Sequence, residues 1–139
     1  MQTITGAPAI SKGRLWTGRV LSGLVILFLL LDGVMKFMKP APVIQACSQL
    51  GWPDGSIVTL GAILLVCTAL YAIPKTSILG AILLTGYFGG AVAVQMRVGN
   101  PLLSHTLFPV YMGVVSWLAL SLRNPHLHGL LLPSRSPVD

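Results

Sequence analysis

The chain has 139 residues, of which 54% are hydrophobic and only 9% charged, with a formal net charge of +6. An average soluble domain carries about 25% charged residues, so this composition excludes an ordinary water-soluble globule and points to lipid as the main solvent. The positive balance does not point to nucleic acid, because the basic residues flank apolar runs.

In chain order, Met1 to Lys12 mixes Gly, Pro, Ser and Thr without periodicity and reads as an irregular tail. Leu15 to Met35 is the first apolar run, interrupted by Arg19 and Asp32. It has the basic start and apolar middle of a signal peptide, but no small-x-small cleavage site follows, so an uncleaved anchor is expected. The segment "KPAPVIQACSQLGWPDGS" comes next. Val43, Ile44, Cys47 and Leu50 follow helical spacing, and Pro42 suits a first helical turn. A short amphipathic helix at the interface is expected, ended by Gly51, with Trp52 in the aromatic belt and Asp54 or Ser56 capping the next span.

Ser56 to Ile73, Ser77 to Met96 and Leu102 to Leu122 are uncharged apolar runs. Each is near the roughly 20 residues that carry a helix across about 30 Å of hydrocarbon, and none shows the alternation of a membrane β-strand. Pro74 is expected to end span two, with Thr76 or Ser77 capping span three. In "RVGNPLL", Gly99 suits a left-handed C-cap, Asn100 an N-cap and Pro101 a first helical position. Span four should end at Pro125, with an apolar patch from Leu130 to Leu132 beyond it.

The predicted architecture is all-α: a four-transmembrane-helix bundle with a short interfacial helix between spans one and two. It forms one integral membrane domain with spans at about 15–36, 56–73, 77–97 and 101–123. With four spans the termini share a side, which gathers Lys12, Arg14, Arg19, Lys75, Arg123 and Arg135 against Lys36, Lys39 and Arg97 opposite. The positive-inside rule then places both termini in the cytoplasm, in the inner membrane of a bacterium.

Alternating span direction collects polar residues at the outer end: Asp32, Lys36, Asp54, Gln95, Arg97 and His105. Nothing comparable collects at the inner end. On span one Gly18, Ser22, Val25, Leu29, Asp32 and Lys36 share a stripe, and on span three Gly86, Gly90, Ala93 and Arg97 share another. Small residues mark close helix approach, so Gly86, Gly89 and Gly90 are read as packing residues and Asp32 is expected to meet both Lys36 and Arg97. Pro109 cannot bond the carbonyl of His105, which leaves a polar notch there.

This cluster is structural, with Asp32 and Lys36 neutralising one another, or a binding site, or a place of proton or redox chemistry in which Asp32 or His105 would relay protons. No P-loop, GxGxxG, zinc spacing or nucleophile triad accompanies it, and only His105 among the histidines lies within the spans. No metal ligand set and no catalytic residue is assigned. Cys47 and Cys67 lie in different environments and are not expected to pair.

The segments "LLDGVMKF", "QLGWP", "IPKTSILGAILLTGYFGGAVAVQMRVG" and "SHTLFPVYMGV" resemble the DoxX-like membrane proteins, from about Leu15 to Leu132. The resemblance implies a small four-helix protein of a group associated with quinone-linked sulfur oxidation, redox-stress complexes and assembly roles. It implies no settled activity for this branch. The expected function is a non-catalytic accessory or assembly subunit of a larger membrane complex, redox or energy-converting, with lipids and other membrane subunits as partners. The alternative is a protein that binds or transports a quinone, lipid headgroup or anion in the outer polar pocket. No covalent cofactor is expected. Catalysis, if any, would belong to a quinone-linked oxidoreductase containing this chain.

Overall fold

A computed structural model describes residues 11–131. The expected irregular tail up to residue 10, and the positions of Leu132 and Arg135, lie outside it. Helix α1 runs Lys12–Met38, three residues earlier than the apolar run, because Ser11 Oγ accepts a hydrogen bond from the Arg14 amide at 3.3 Å and caps it. It stops at Lys39, which adopts φ 49° immediately before Pro40, where proline disfavours further helix.

Helix α2, Ala41–Gln49, has Pro42 in its first turn. Gly51, at φ 82°, ends it: the Trp52 amide reaches Cys47 O at 3.0 Å and the Gly51 amide reaches Ser48 O at 2.9 Å, the paired bonds of a Schellman cap. Helix α3 spans Asp54–Ala72, but neither Asp54 nor Ser56 caps it, since Pro53 occupies the capping position. Helix α4 spans Ser77–Arg97. Thr76 and Ser77 also cap nothing. Their hydroxyls donate backwards, to Leu70 O at 2.8 Å and Pro74 O at 3.1 Å, and fasten the turn to the end of α3. Gly99, at φ 73°, closes α4 with a second Schellman cap, in which Asn100 N reaches Gln95 O and Gly99 N reaches Met96 O.

The fourth span differs most from expectation. Pro101 precedes a π-helical turn, Leu102–Thr106, and only then does α5 begin, Phe108–Arg123. Proline at 109 has no amide hydrogen and its ring crowds the carbonyl four residues back. The preceding ladder widens to compensate, with Leu107 N on Leu102 O at 2.9 Å and Thr106 N on Pro101 O at 3.2 Å. After Arg123 the chain turns into α6, Pro125–Leu131, begun by Asn124 Oδ1, which accepts from His126 N at 3.1 Å. The predicted apolar patch is therefore helical where described: Leu127 is buried, while Leu130 and Leu131 are exposed.

Among the described residues, four stretches are long and apolar enough to cross a membrane: α1, α3, α4 and the continuous Leu102–Arg123. They close a ring in which α1 packs on α3 and α5, and α4 packs on the same two. Leu24, Leu27, Leu31, Ile63, Val66, Ile82 and Val114 all point outward, as expected where the solvent is lipid. Helices in lipid gain little from burying apolar surface and associate through close packing instead. The close approaches are made at Gly18, Gly33, Gly61 and Gly80. A Cβ added at Gly80 would sit 2.5 Å from Tyr71 Cα and 2.7 Å from Leu70 C. Three hydroxyls within the spans are satisfied locally: Thr68 donates to Leu64 O, Thr85 to Ala81 O and Ser116 to Met112 O, each at 2.7 Å.

Candidate functional site: a cavity at one end of the bundle

The two ends of the bundle are built differently. Towards the end where α1 begins and α5 ends, Tyr71 is fully buried and its hydroxyl donates to Ser116 O at 2.7 Å, tying α3 to α5. Towards the other end the four spans line a half-open cavity of about 400 Å³.

The cavity has an identifiable sequence cause. Gly86 and Gly90 are one turn apart on α4 and both line it, and a Cβ at either position would meet nothing within 4 Å. Two missing side chains recess the α4 wall. Phe28 of α1 and Phe108 of α5 form part of the lining, their ring centroids 5.6 Å apart and tilted by 59°. Pro109 is buried in the wall beside them, and Cys47, Leu50 and Trp52 line it from α2 and its turn. Tyr87 completes an aromatic lining that is predominantly apolar.

Three polar side chains enter it: Asp32, Lys36 and Gln95. Lys36 Nζ lies 2.5 Å from Asp32 Oδ2, one helical turn away, and the lysine side chain is 13% exposed against 43% for the aspartate. The ammonium is thus the more sheltered partner. Gln95 Oε1 accepts from Asn100 Nδ2, which fixes the amide and directs its NH2 group as the remaining donor. Burial pushes the Cys47 thiol up from its ordinary range, with the Lys36 ammonium pulling the opposite way.

The rest of the expected cluster is elsewhere. Arg97 does not meet Asp32. It is exposed, with Nη2 donating to Leu50 O at 3.2 Å and packing beneath Gly51. The guanidinium therefore braces the end of α2, because the Schellman turn at Gly51 presents a free carbonyl within its reach. His105 is exposed on the π turn, where Nδ1 lies 2.8 Å from Ser104 Oγ. Asp54 is exposed at the start of α3. Gly86, Gly89 and Gly90 pack against no helix, contrary to their expected role. Gly89 instead lines a shallow outward groove between α4 and α5.

Residue spacing also missed a second polar cluster, at the end where none was expected. There Arg123 Cζ lies 5.5 Å from the centroid of the Tyr71 ring, and Arg14, Arg123 and Ser22 all have buried polar atoms without hydrogen-bond partners among the described residues. Arg123 and Tyr71 were legible only as a span terminus and an aromatic, because nothing in their own segments signals that they meet. Among the described residues, no group of three His, Cys, Asp or Glu could hold a metal, and Cys47 and Cys67 are free.

The DoxX-like family matches residues 20–119, a stretch that includes nearly all of the four spans and every residue lining the cavity. The chain belongs to the DoxX-like family. No curated protein and no solved structure matches it. With its four apolar spans, this membership makes it an integral membrane protein in contact with lipid.

Proposed function

We propose that this DoxX-like protein is a binding protein for a small amphiphile, a quinone-type ring or a comparable acceptor-headed lipid, held in the cavity of the bundle. One observation carries the reading: an apolar, aromatic-lined space of about 400 Å³ with its only charged groups, Asp32 and Lys36, side by side in its wall. Ligand sites are characteristically apolar hollows with a few convergent polar groups. Lys36 and the Gln95 amide would donate to a carbonyl or other acceptor on the head, Asp32 would hold the ammonium in place, and Phe28, Tyr87 and Phe108 would flank the ring. With both termini on the side rich in Lys12, Arg14, Arg19, Lys75 and Arg123, the cavity would open toward the outer face of a bacterial cytoplasmic membrane.

The test uses Trp52, which lines the cavity. In the Trp16→Phe/Trp117→Phe protein it is the sole tryptophan, and a short-chain ubiquinone analogue should quench it saturably in detergent. Lys36→Met should weaken that quenching. Non-saturating quenching, or an unchanged isotherm in Lys36→Met, would contradict the proposal.

The accessory-subunit reading is favoured by a different feature. The groove between α4 and α5 has Gly89 and Gly113 along it and faces outward, where small residues let a partner's transmembrane helix approach closely. It predicts stoichiometric co-purification of larger membrane subunits in mild detergent, abolished by Gly89→Leu.

A further inference from the structure

At the end where α1 begins and α5 ends, two arginines flank the α1–α5 interface. Arg14 lies in the first turn of α1 and Arg123 is the last residue of α5. Gly18 is one turn above Arg14 on the same face, and a Cβ there would sit 2.8 Å from Arg123 Cγ and 3.0 Å from Leu122 Cβ. The absence of a side chain at Gly18 lets the stem of Arg123 lie against α1, with its guanidinium over the Tyr71 ring. In both arginines Nε and Nη2 are buried and have no hydrogen-bond partner among the described residues.

A guanidinium cannot shed its proton to escape such a position, and a buried cation is tolerated only when an anion answers it. The described residues offer none here. The sequence contains three acids. Asp32 and Asp54 lie at the opposite end, the first engaged with Lys36, and Asp139 is outside the described residues. Lys12 and Arg19 add to the positive charge. Both arginines also fall outside the stretch matched by the family.

We propose that Arg14 and Arg123 together bind the phosphate of an anionic phospholipid headgroup. The first turn of one span and the last turn of another sit at the depth where headgroups lie. The planar fork of arginine matches phosphate oxygens bidentately, and basic pockets between membrane helices are a known form of headgroup site. The exposed Leu130 and Leu131 of α6, which packs on α5, supply apolar surface for the acyl chains. The site is independent of the cavity.

Native mass spectrometry of the full chain with dioleoyl phosphatidylglycerol or dioleoyl phosphatidylcholine tests it. Phosphatidylglycerol should bind preferentially and raise the melting temperature, and Arg14→Gln/Arg123→Gln should weaken it by about tenfold or more, the loss expected for charge-assisted hydrogen bonds. Arg123→Lys, which keeps the charge and loses the fork, should give a smaller loss and serves if the double variant does not fold. Equal binding of the two lipids, or undiminished phosphatidylglycerol binding in the variants, would overturn the proposal. So would stabilisation by inorganic phosphate without any lipid preference, which would assign the site to a free anion. Removal of residues 132–139 that destabilises the protein and abolishes the lipid preference would assign the counter-charge to the chain's own carboxylates, and would overturn it equally.

Discussion

Helix α4 carries glycines in both halves of the bundle, and they do opposite things. Gly80 lets α4 lie directly on the α3 backbone at Leu70 and Tyr71, whereas Gly86 and Gly90 face open space and recess the wall of a cavity. The same residue type on one helix makes the tightest contact at one end and the emptiest at the other. A stripe of small residues in a membrane helix therefore records missing volume, and only the neighbouring helix decides whether backbone or ligand takes it.

Substitutions at the two sites should separate sharply. Gly80→Ala should give the largest loss, about 3 kcal/mol or more, because the added methyl meets backbone that cannot rotate away. Thermal or denaturant unfolding in detergent reads it. Tyr71→Phe, in the same packed half, removes the hydroxyl that donates to Ser116 O and should lower stability by about 1 kcal/mol. In the hollow half, Asp32→Asn should lower stability by no more than about 1 kcal/mol, since the carboxylate is substantially exposed, yet change the affinity for the amphiphile by freeing Lys36. Gly86→Ala should be neutral or stabilising by up to about 1 kcal/mol through helix propensity alone, as its methyl meets nothing. A loss there comparable to that at Gly80 would break the comparison. The smallest effect is chemical: the thiol of Cys47, whose ionisation is disfavoured by burial, should resist alkylation at pH values where an exposed cysteine already ionises. Its rate should rise with pH and fall further when the amphiphile is bound.

Much of the fold was legible because the signals are local. Uninterrupted apolar runs set the spans, and Gly51 and Gly99 marked helix ends that the structure closes with left-handed caps. The π turn was less accessible: Pro109 announced a missing hydrogen bond, but how the ladder would adjust depends on several residues at once. Of the expected polar cluster, Asp32, Lys36 and Gln95 line one space, while Arg97 and His105 do not. Span direction gives the end of the bundle at which a residue lies. It does not give the direction around the helix axis, and a long side chain such as Arg97 turns to the nearest free acceptor, here Leu50 O. The approach of Arg123 to Gly18 and Tyr71 was hidden for the same reason, being a product of how α5 meets α1 and α3 rather than of any segment.

The most direct test of the cavity as a binding site is the quenching isotherm of Trp52 by a short-chain ubiquinone analogue in the Gly86→Leu variant. The leucine would fill the space that Gly86 leaves open while clashing with no neighbouring helix at its Cβ. The account predicts a melting temperature close to that of the parent protein and loss of saturable quenching. A folded Gly86→Leu protein that binds the analogue as tightly as its parent would contradict it.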